Sequence, residues 1–214
     1  MKVDGLILAA GVGKRLGRGP KAFLELKGQT LVERVAILAR PFVQNIAIAV
    51  QPEHIEKSKN LLPWCTIIAG GSNRQQSLKR LLEHTEASYV VIFDAARAFT
   101  SPQIIEQLLK TVPKYGASIP CLPASVPNII TSDPTVIEHL TPSKNTFSVQ
   151  TPQAYRRDNL LEIYELAKER NWAFQSTVEL LHAAKRRTTM VAGSESNIKI
   201  TTELDWQIAQ HILT

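Results

Sequence analysis

The sequence predicts an α/β fold: a doubly wound, mainly parallel sheet flanked by helices, with a β-arm protruding from it. Three observations point there. Short apolar runs alternate with helical patterns over roughly the first 120 residues, the order that builds βαβ units. Hydrophobic residues make up 44% of the 214 and charged residues 21%, the balance of an ordinary globular core. Between about 123 and 150 four prolines (Pro123, Pro127, Pro134 and Pro142) break the rhythm, so this stretch reads as an excursion from the sheet. The chain as a whole, 1–214, reads as one domain with an arm.

Residues 3–9 are apolar without alternation, as a strand covered on both faces reads. Glycines and Pro20 interrupt from Ala10 to Lys21. Thr30 then offers an N-cap, with Glu33 completing a capping box, and Leu31, Val35, Leu38 and Ala39 form an apolar stripe. A strand is expected at 46–50, a short helix from Pro52, and a strand at 66–69 that Gly70-Gly71-Ser72 ends. The next helix runs through Gln75, Leu78, Leu81 and Leu82. Residues 89–93 are the most β-like run, closed by Asp94. Ser101-Pro102 starts a helix burying Ile104, Ile105, Leu108 and Leu109, and a strand follows at 117–122. Beyond the arm, helices are expected at about 158–169 and 177–185, a strand near 189–191, and a final helix from about Glu203.

Twenty-five Lys+Arg against 19 Asp+Glu leave a formal net charge of +6. That excess suits nucleic acid, an anionic lipid surface, a phosphorylated small molecule or simply a solvated surface, and only its placement can decide. Cys65 and Cys121 cannot make a disulfide framework, so a cytoplasmic setting is expected. No apolar run approaches the roughly 20 residues that cross a bilayer. Asp4, with no long apolar stretch around it, speaks against a secretory signal.

Sites in such sheets gather at the carboxyl ends of the strands, and three loops there stand out. The first, Ala9 to Lys21, combines glycines that let backbone N–H groups face an anion with Lys14, Arg15, Arg18 and Lys21. That suits a triphosphate; a glycine-rich turn with solvated cations is the plainer alternative. It is neither a dinucleotide fingerprint, which would need a glycine at Leu16, nor a P-loop, which would need Ser or Thr at Arg15. The second, Gly70 to Ser77, offers its backbone, Arg74 and the Ser77 hydroxyl to a base, ribose or phosphate, or is common turn and cap chemistry. The third, Asp94-Ala95-Ala96-Arg97, could hold a ligand hydroxyl or magnesium-bound water at Asp94 and a phosphate at Arg97, or be a surface ion pair. Near the end, Asn197-Ile198-Lys199-Ile200-Thr201 places a cation inside a short β-like run, either a ligand group or edge decoration.

In order, Ala9-Ala10-Gly11-Val12-Gly13-Lys14-Arg15 with Pro20-Lys21, Gly70 to Ser77, Asp94 to Arg97, Gln150-Thr151-Pro152-Gln153 and Asn197 to Thr201 resemble the 2-C-methyl-D-erythritol 4-phosphate cytidylyltransferases. The resemblance spans the whole chain. It implies that Arg15, Lys21 and Lys199 carry the chemistry on the CTP phosphates. Ala9, Ala10, Gly11, Gly13, Lys14, Gly71, Ser72, Arg74 and Ser77 would bind the nucleotide. Asp94, Ala95, Arg97, Lys144 and Thr151 would face the acceptor phosphate. It further implies magnesium held mainly through CTP phosphates rather than by a protein cage, no nucleic-acid or membrane partner, and a homodimer joined through the 123–150 arm.

The acceptor half departs from the family pattern. Phe93 stands where a histidine is usual and Ala98 where a proline is. Pro123-Ala124-Ser125-Val126-Pro127-Asn128-Ile129 lacks the usual acid, hydroxyl and base. Lys144 matches an expected arginine only across a one-residue gap, and a lysine cannot reproduce a forked bidentate grip. No acidic segment appears at Phe174-Gln175-Ser176. The reaction expected is cytidylyl transfer to methylerythritol phosphate. The alternatives are transfer to another polyol phosphate such as ribitol 5-phosphate, or a non-catalytic nucleotide-binding relative. A nucleic-acid-binding domain would show a recognition helix, zinc signature or stacking aromatics, and aromatic content is only 6%.

Overall fold

The computed structural model describes residues 1–13 and 15–212; Lys14 lies outside the described residues. β1 (Val3–Leu8) leads through the glycine loop to a small hairpin, β2 (Glu25–Leu26) and β3 (Gln29–Thr30), and then α1 (Leu31–Ala39). Next come β4 (Asn45–Val50), α2 (Ile55–Leu61), β5 (Thr66–Ala69), α3 (Arg74–Glu83), β6 (Tyr89–Asp94), α4 (Pro102–Tyr115) and β7 (Ala117–Pro123). The arm carries β8 (Asn128–Ile130) and β9 (His139–Thr141). The chain returns through β10 (Phe147–Val149) and β11 (Gln153–Arg156) to α5 (Arg157–Glu169), α6 (Thr177–Ala183), β12 (Thr189–Ala192) and α7 (Glu203–Ile212). No described helix is long and apolar enough to cross a membrane.

β6, β1, β4 and β5 lie side by side and parallel. β11 runs antiparallel between β6 and β7. Ser118 pairs with both Ala154 and Thr189, and Cys121 with both Val149 and Ala192. So β12 covers one edge of β7, while β10 and β11 follow one another along the other. All strands but these two point the same way in the main sheet, and the sheet is mixed but mostly parallel.

The parallel half forms where the residues alternate between two apolar faces. Ile7, Ile48, Val91 and Phe93 pack under α1 and α4. Leu6, Ala49, Val90 and Ile92 pack under α3 and α5. Burial on both faces is why these strands read as unbroken apolar runs. α1 starts at the capping box foreseen: Thr30 Oγ1 accepts from Glu33 N, and Glu33 Oε2 accepts from Thr30 N at 2.8 Å. A smaller cluster joins Leu16 and Leu31 to Ile200 and Trp206, bringing the last segment of the chain against the glycine loop.

Four expectations need correction. β10 belongs to the main sheet, so the excursion is shorter than 123–150. β11 was not foreseen: its Gln-Ala-Tyr-Arg run is too short and mixed to show a period, yet Ala154 and Tyr155 are buried in the sheet interior. Residues 197–201 form no strand; they are held locally by Ile200 N donating to Ala96 O at 2.9 Å. Leu109 is only partly buried. Because Ile92 is wholly buried in the central strand that ends at Asp94, Ile92→Ala should lower unfolding free energy by about 2–5 kcal/mol in urea titration.

Candidate active site

The loops after β1, β5 and β6 emerge along one edge of the sheet. In the first, Gly13 has φ +73°, and a Cβ there would collide with the Gly19 carbonyl, so only glycine lets the loop fold back on itself. Leu16 is buried and anchors its middle. Arg18 does not serve the site as its position suggested: its guanidinium makes a bidentate pair with Glu203 (2.9 and 2.7 Å) and lies over Trp206. It ties the loop to α7. Arg15 and Lys21 line the cavity above the loop, together with Ala10, Gly11 and Gly13. Ala9 does not line it; its side chain is in the core and its N–H donates to Ala49 O at 2.9 Å.

In the second loop, Asn73 caps α3, its side chain accepting from Gln76 N at 2.9 Å. Gln76 Oε1 accepts from both Ser72 N and Ser72 Oγ (3.1 and 2.9 Å), and Ser77 Oγ accepts from Gly71 N at 2.9 Å. Ser77 Oγ also donates to Asn73 O at 2.9 Å. The Ser77 hydroxyl, expected to meet a ligand, therefore chiefly shapes the loop. Gly71, Ser72, Arg74 and Ser77 all line the same cavity as the glycine loop, about 450 Å³ in volume.

Asp94 closes β6 and is nearly inaccessible. Arg74 Nη2 reaches its Oδ1 at 3.3 Å and Lys199 Nζ its Oδ2 at 2.9 Å. Burial alone would raise the carboxyl pKa. Arg74, Lys199 and Arg97 outweigh it and hold Asp94 at about 2. The Lys21 pKa is lowered as well, but here against the charged form: burial, then repulsion from Lys199 and Arg15, is the cause. Its ammonium donates to Ile200 O at 3.0 Å. A half-buried lysine crowded by two further cations is a site for an anion.

A second cavity of about 590 Å³ opens on the far side of Asp94. Arg97 and Thr151 line it, as do Gln150, Gln153 and the start of α6. Two buried polar atoms there, Arg97 Nε and Thr151 Oγ1, have no partner. Buried polar atoms are rarely left so, and both belong to residues that line this cavity. The two cavities share three residues: Arg74, Asp94 and Lys199. Ala95, expected on the acceptor side, lines the glycine-loop cavity instead, since its N–H is tied to Leu8 O at 3.1 Å. Lys144 stands exposed on the arm and lines neither cavity.

Sequence reasoning missed the wall that α6 gives the second cavity: Thr177, Glu179 and His182. A signal was present in Ser176-Thr177-Val178-Glu179, a capping box that marks the helix start. Ser176 Oγ accepts from Glu179 N at 3.2 Å, and the Glu179 carboxylate is turned to Gln175 N and Ser176 Oγ (2.9 and 2.8 Å). Thr177 Oγ1 also receives Arg74 Nη1 at 3.4 Å.

Residues 3–214 match the model of the family described as 2-C-methyl-D-erythritol 4-phosphate cytidylyltransferase. The chain belongs to this family. The cytidylyltransferase of that name from Deinococcus radiodurans is 36% identical over 205 residues, covering 96% of this chain and 87% of its relative. The one from Thermus thermophilus is 32% identical over 211 residues, covering 98% and 96%. The crystal structure of the T. thermophilus cytidylyltransferase superposes with a TM-score of 0.86 at 29% identity, covering 99% of this chain and 98% of that one. A structure from Anaerococcus prevotii, 21% identical with a TM-score of 0.88 and covering 99% and 96%, shares the fold. The family is one of nucleotidyltransferases, which accords with two cavities that meet at a set of cations.

The low pKa of Asp94 has a signed consequence. Its native value lies below its unfolded value of 3.8, so its ion pairs stabilise the fold fully above about pH 5 and lose that effect as pH falls toward 2. The stability difference between wild type and Asp94→Asn should be flat from neutral pH to about 5, then shrink between about 4 and 2, as read by urea unfolding at each pH.

Proposed function

We propose that this chain transfers CMP from CTP to 2-C-methyl-D-erythritol 4-phosphate, giving 4-diphosphocytidyl-2-C-methyl-D-erythritol and pyrophosphate. One observation carries the reading: a glycine-loop cavity and a second cavity lined by Arg97 and Thr151 meet at Arg74, Asp94 and Lys199. A triphosphate in the first and a phosphate monoester in the second would bring an attacking oxygen to the α-phosphorus. The acceptor oxygen forms the new P–O bond, the α–β bridge breaks, and pyrophosphate leaves with the electron pair. A phosphate monoester is nucleophilic near neutral pH, so no general base is required.

The residues then act by position and charge. Lys21 and Lys199 face the α-phosphate, and the triphosphate adds counter-charge where burial and like-charge repulsion outweigh Asp94 and Asp205 at Lys21. Arg15 and the glycine-loop amides hold the β- and γ-phosphates. Gly71, Ser72 and Arg74 face base and ribose. Arg97 and Thr151 face the acceptor phosphate, while Asp94 fixes Lys199 between the two ligands. Asp94 is the one carboxylate among the described residues lining the nucleotide cavity, and both its oxygens are engaged by cations. That donor set fits magnesium carried by the triphosphate itself, with Asp94 available to a metal-bound water. Magnesium so bound would neutralise phosphate charge.

The chain is read as a single domain working as a homodimer in the cytoplasm. Its arm exposes Val126, Ile129, Ile130, Val136, Ile137 and Leu140, an apolar surface of the kind a second copy covers. A second acceptor, ribitol 5-phosphate or a similar polyol phosphate, is favoured by the acceptor side. Lys144 lies outside the cavity, and Thr177, Glu179 and His182 form the wall near which an acidic segment is usual.

A magnesium-supported pyrophosphate-release assay pairing CTP, UTP and ATP with each acceptor phosphate tests this. Turnover is expected with CTP and methylerythritol phosphate. Faster turnover with ribitol phosphate would select the second reading, and no release from any pair would refute both. Lys21→Ala and Lys199→Ala should each lower kcat by about 100–1000-fold, with a smaller loss of CTP affinity by calorimetry. Gly13→Ala should weaken CTP binding by about tenfold or more, ~1.4 kcal/mol, and lower the unfolding midpoint, because the loop must shift to take the Cβ.

A further inference from the structure

Asn197 touches neither cavity, yet the groups that line the acceptor cavity converge on it. It is wholly buried. Its Nδ2 donates to the Thr151 carbonyl at 2.9 Å and to Gln150 Oε1 at 3.3 Å. Its Oδ1 accepts from Thr100 Oγ1 at 3.0 Å. Its own carbonyl accepts from Arg97 Nη1 at 2.5 Å and from Gln150 Nε2 at 3.4 Å. One residue thus holds the strand break at 150–152, the loop after β6 and the guanidinium of Arg97, and stands two positions before Lys199. Gln150 completes the clamp, accepting from Ser194 N at 3.1 Å and donating to Ser194 O at 2.9 Å. Gly193 has to be small for this, because a Cβ there would lie 2.6 Å from Gln150 Oε1.

Two residues of this network, Arg97 and Thr151, line the acceptor cavity, and each keeps one buried polar atom, Nε and Oγ1, without a partner. We propose that Asn197 is the positioning residue of the acceptor site: it fixes Arg97, Thr151 and the approach of Lys199 relative to one another without contacting substrate. Its side chain joins Thr100, after β6, to the strand break at 150–152, while its backbone carbonyl receives Arg97. A buried amide with its hydrogen bonds satisfied gives that junction one geometry, because any alternative leaves a donor or acceptor unpaired.

The kinetic side of this inference rests on the acceptor reading above; its structural side does not. Asn197→Ala should raise KM for the acceptor phosphate about tenfold and lower kcat, with the CTP dissociation constant within about twofold of wild type. Hydrogen exchange, which needs no substrate, should speed up in peptides covering 148–153 and 195–201 and stay unchanged in β1 and β4. Thr100→Val removes only the hydroxyl that orients the amide. It should move the same readouts in the same direction by about threefold, and it serves if the alanine variant fails to fold. Equal rises in both substrates' KM, or exchange that is unchanged or faster everywhere, would overturn the proposal. If the wild-type chain turns over no acceptor, the activity reading fails and the exchange pattern still decides the role of Asn197.

Discussion

A buried carboxylate held between two cations organises this molecule. Asp94 sits at the end of the central strand, bonded to Arg74 from the first turn of α3 and to Lys199 from the last segment of the chain. A carboxylate so buried is tolerable only with its charge compensated, and removing one partner of such a set typically costs about 3–5 kcal/mol. The pairing therefore constrains three distant segments at once. It draws residue 199 across 105 positions to the strand end and sets Arg74 where both cavities can reach it. The site's two halves meet where they do because Asp94 requires both cations.

The rest of the architecture supports that junction. The parallel strands deliver their loops to one edge because both faces of the sheet are covered. The antiparallel β11 fills the space between β6 and β7 and carries Thr151 to the rim just before it. The glycine loop is fastened at its outer end by Arg18 to Glu203 and Trp206, leaving its inner amides and Lys21 facing the cavity. Excess positive charge is thus split between ligand-facing groups and structural anchors, and only the first kind can serve a triphosphate.

Much of this was legible in the sequence, for local reasons. Strands β1, β4, β5 and β6 are apolar runs that glycine, proline or aspartate soon interrupts. The capping box at Thr30 and Glu33 needs only neighbours three residues apart. What escaped depends on distant partners. Arg18 looked like a phosphate ligand until Glu203, 185 residues away, claimed it. Ala9 sits in a glycine-rich motif, but its N–H belongs to the neighbouring strand. β11 has no period to read, and its place is set by the gap it fills. Asn197 stood in a recognisable segment, but its role lies in bonds to residues 46 and 97 positions away.

In the proposed reaction an acceptor phosphate held beside Arg97 and Thr151 attacks the α-phosphorus of CTP held over the glycine loop. Phosphorus NMR of the product made from acceptor phosphate labelled with oxygen-18 tests it most directly. The expected product is a diphosphate in which a labelled oxygen bridges the two phosphorus atoms, shifting both signals, with unlabelled pyrophosphate. A product without label at the bridge, or label found in pyrophosphate, would contradict it.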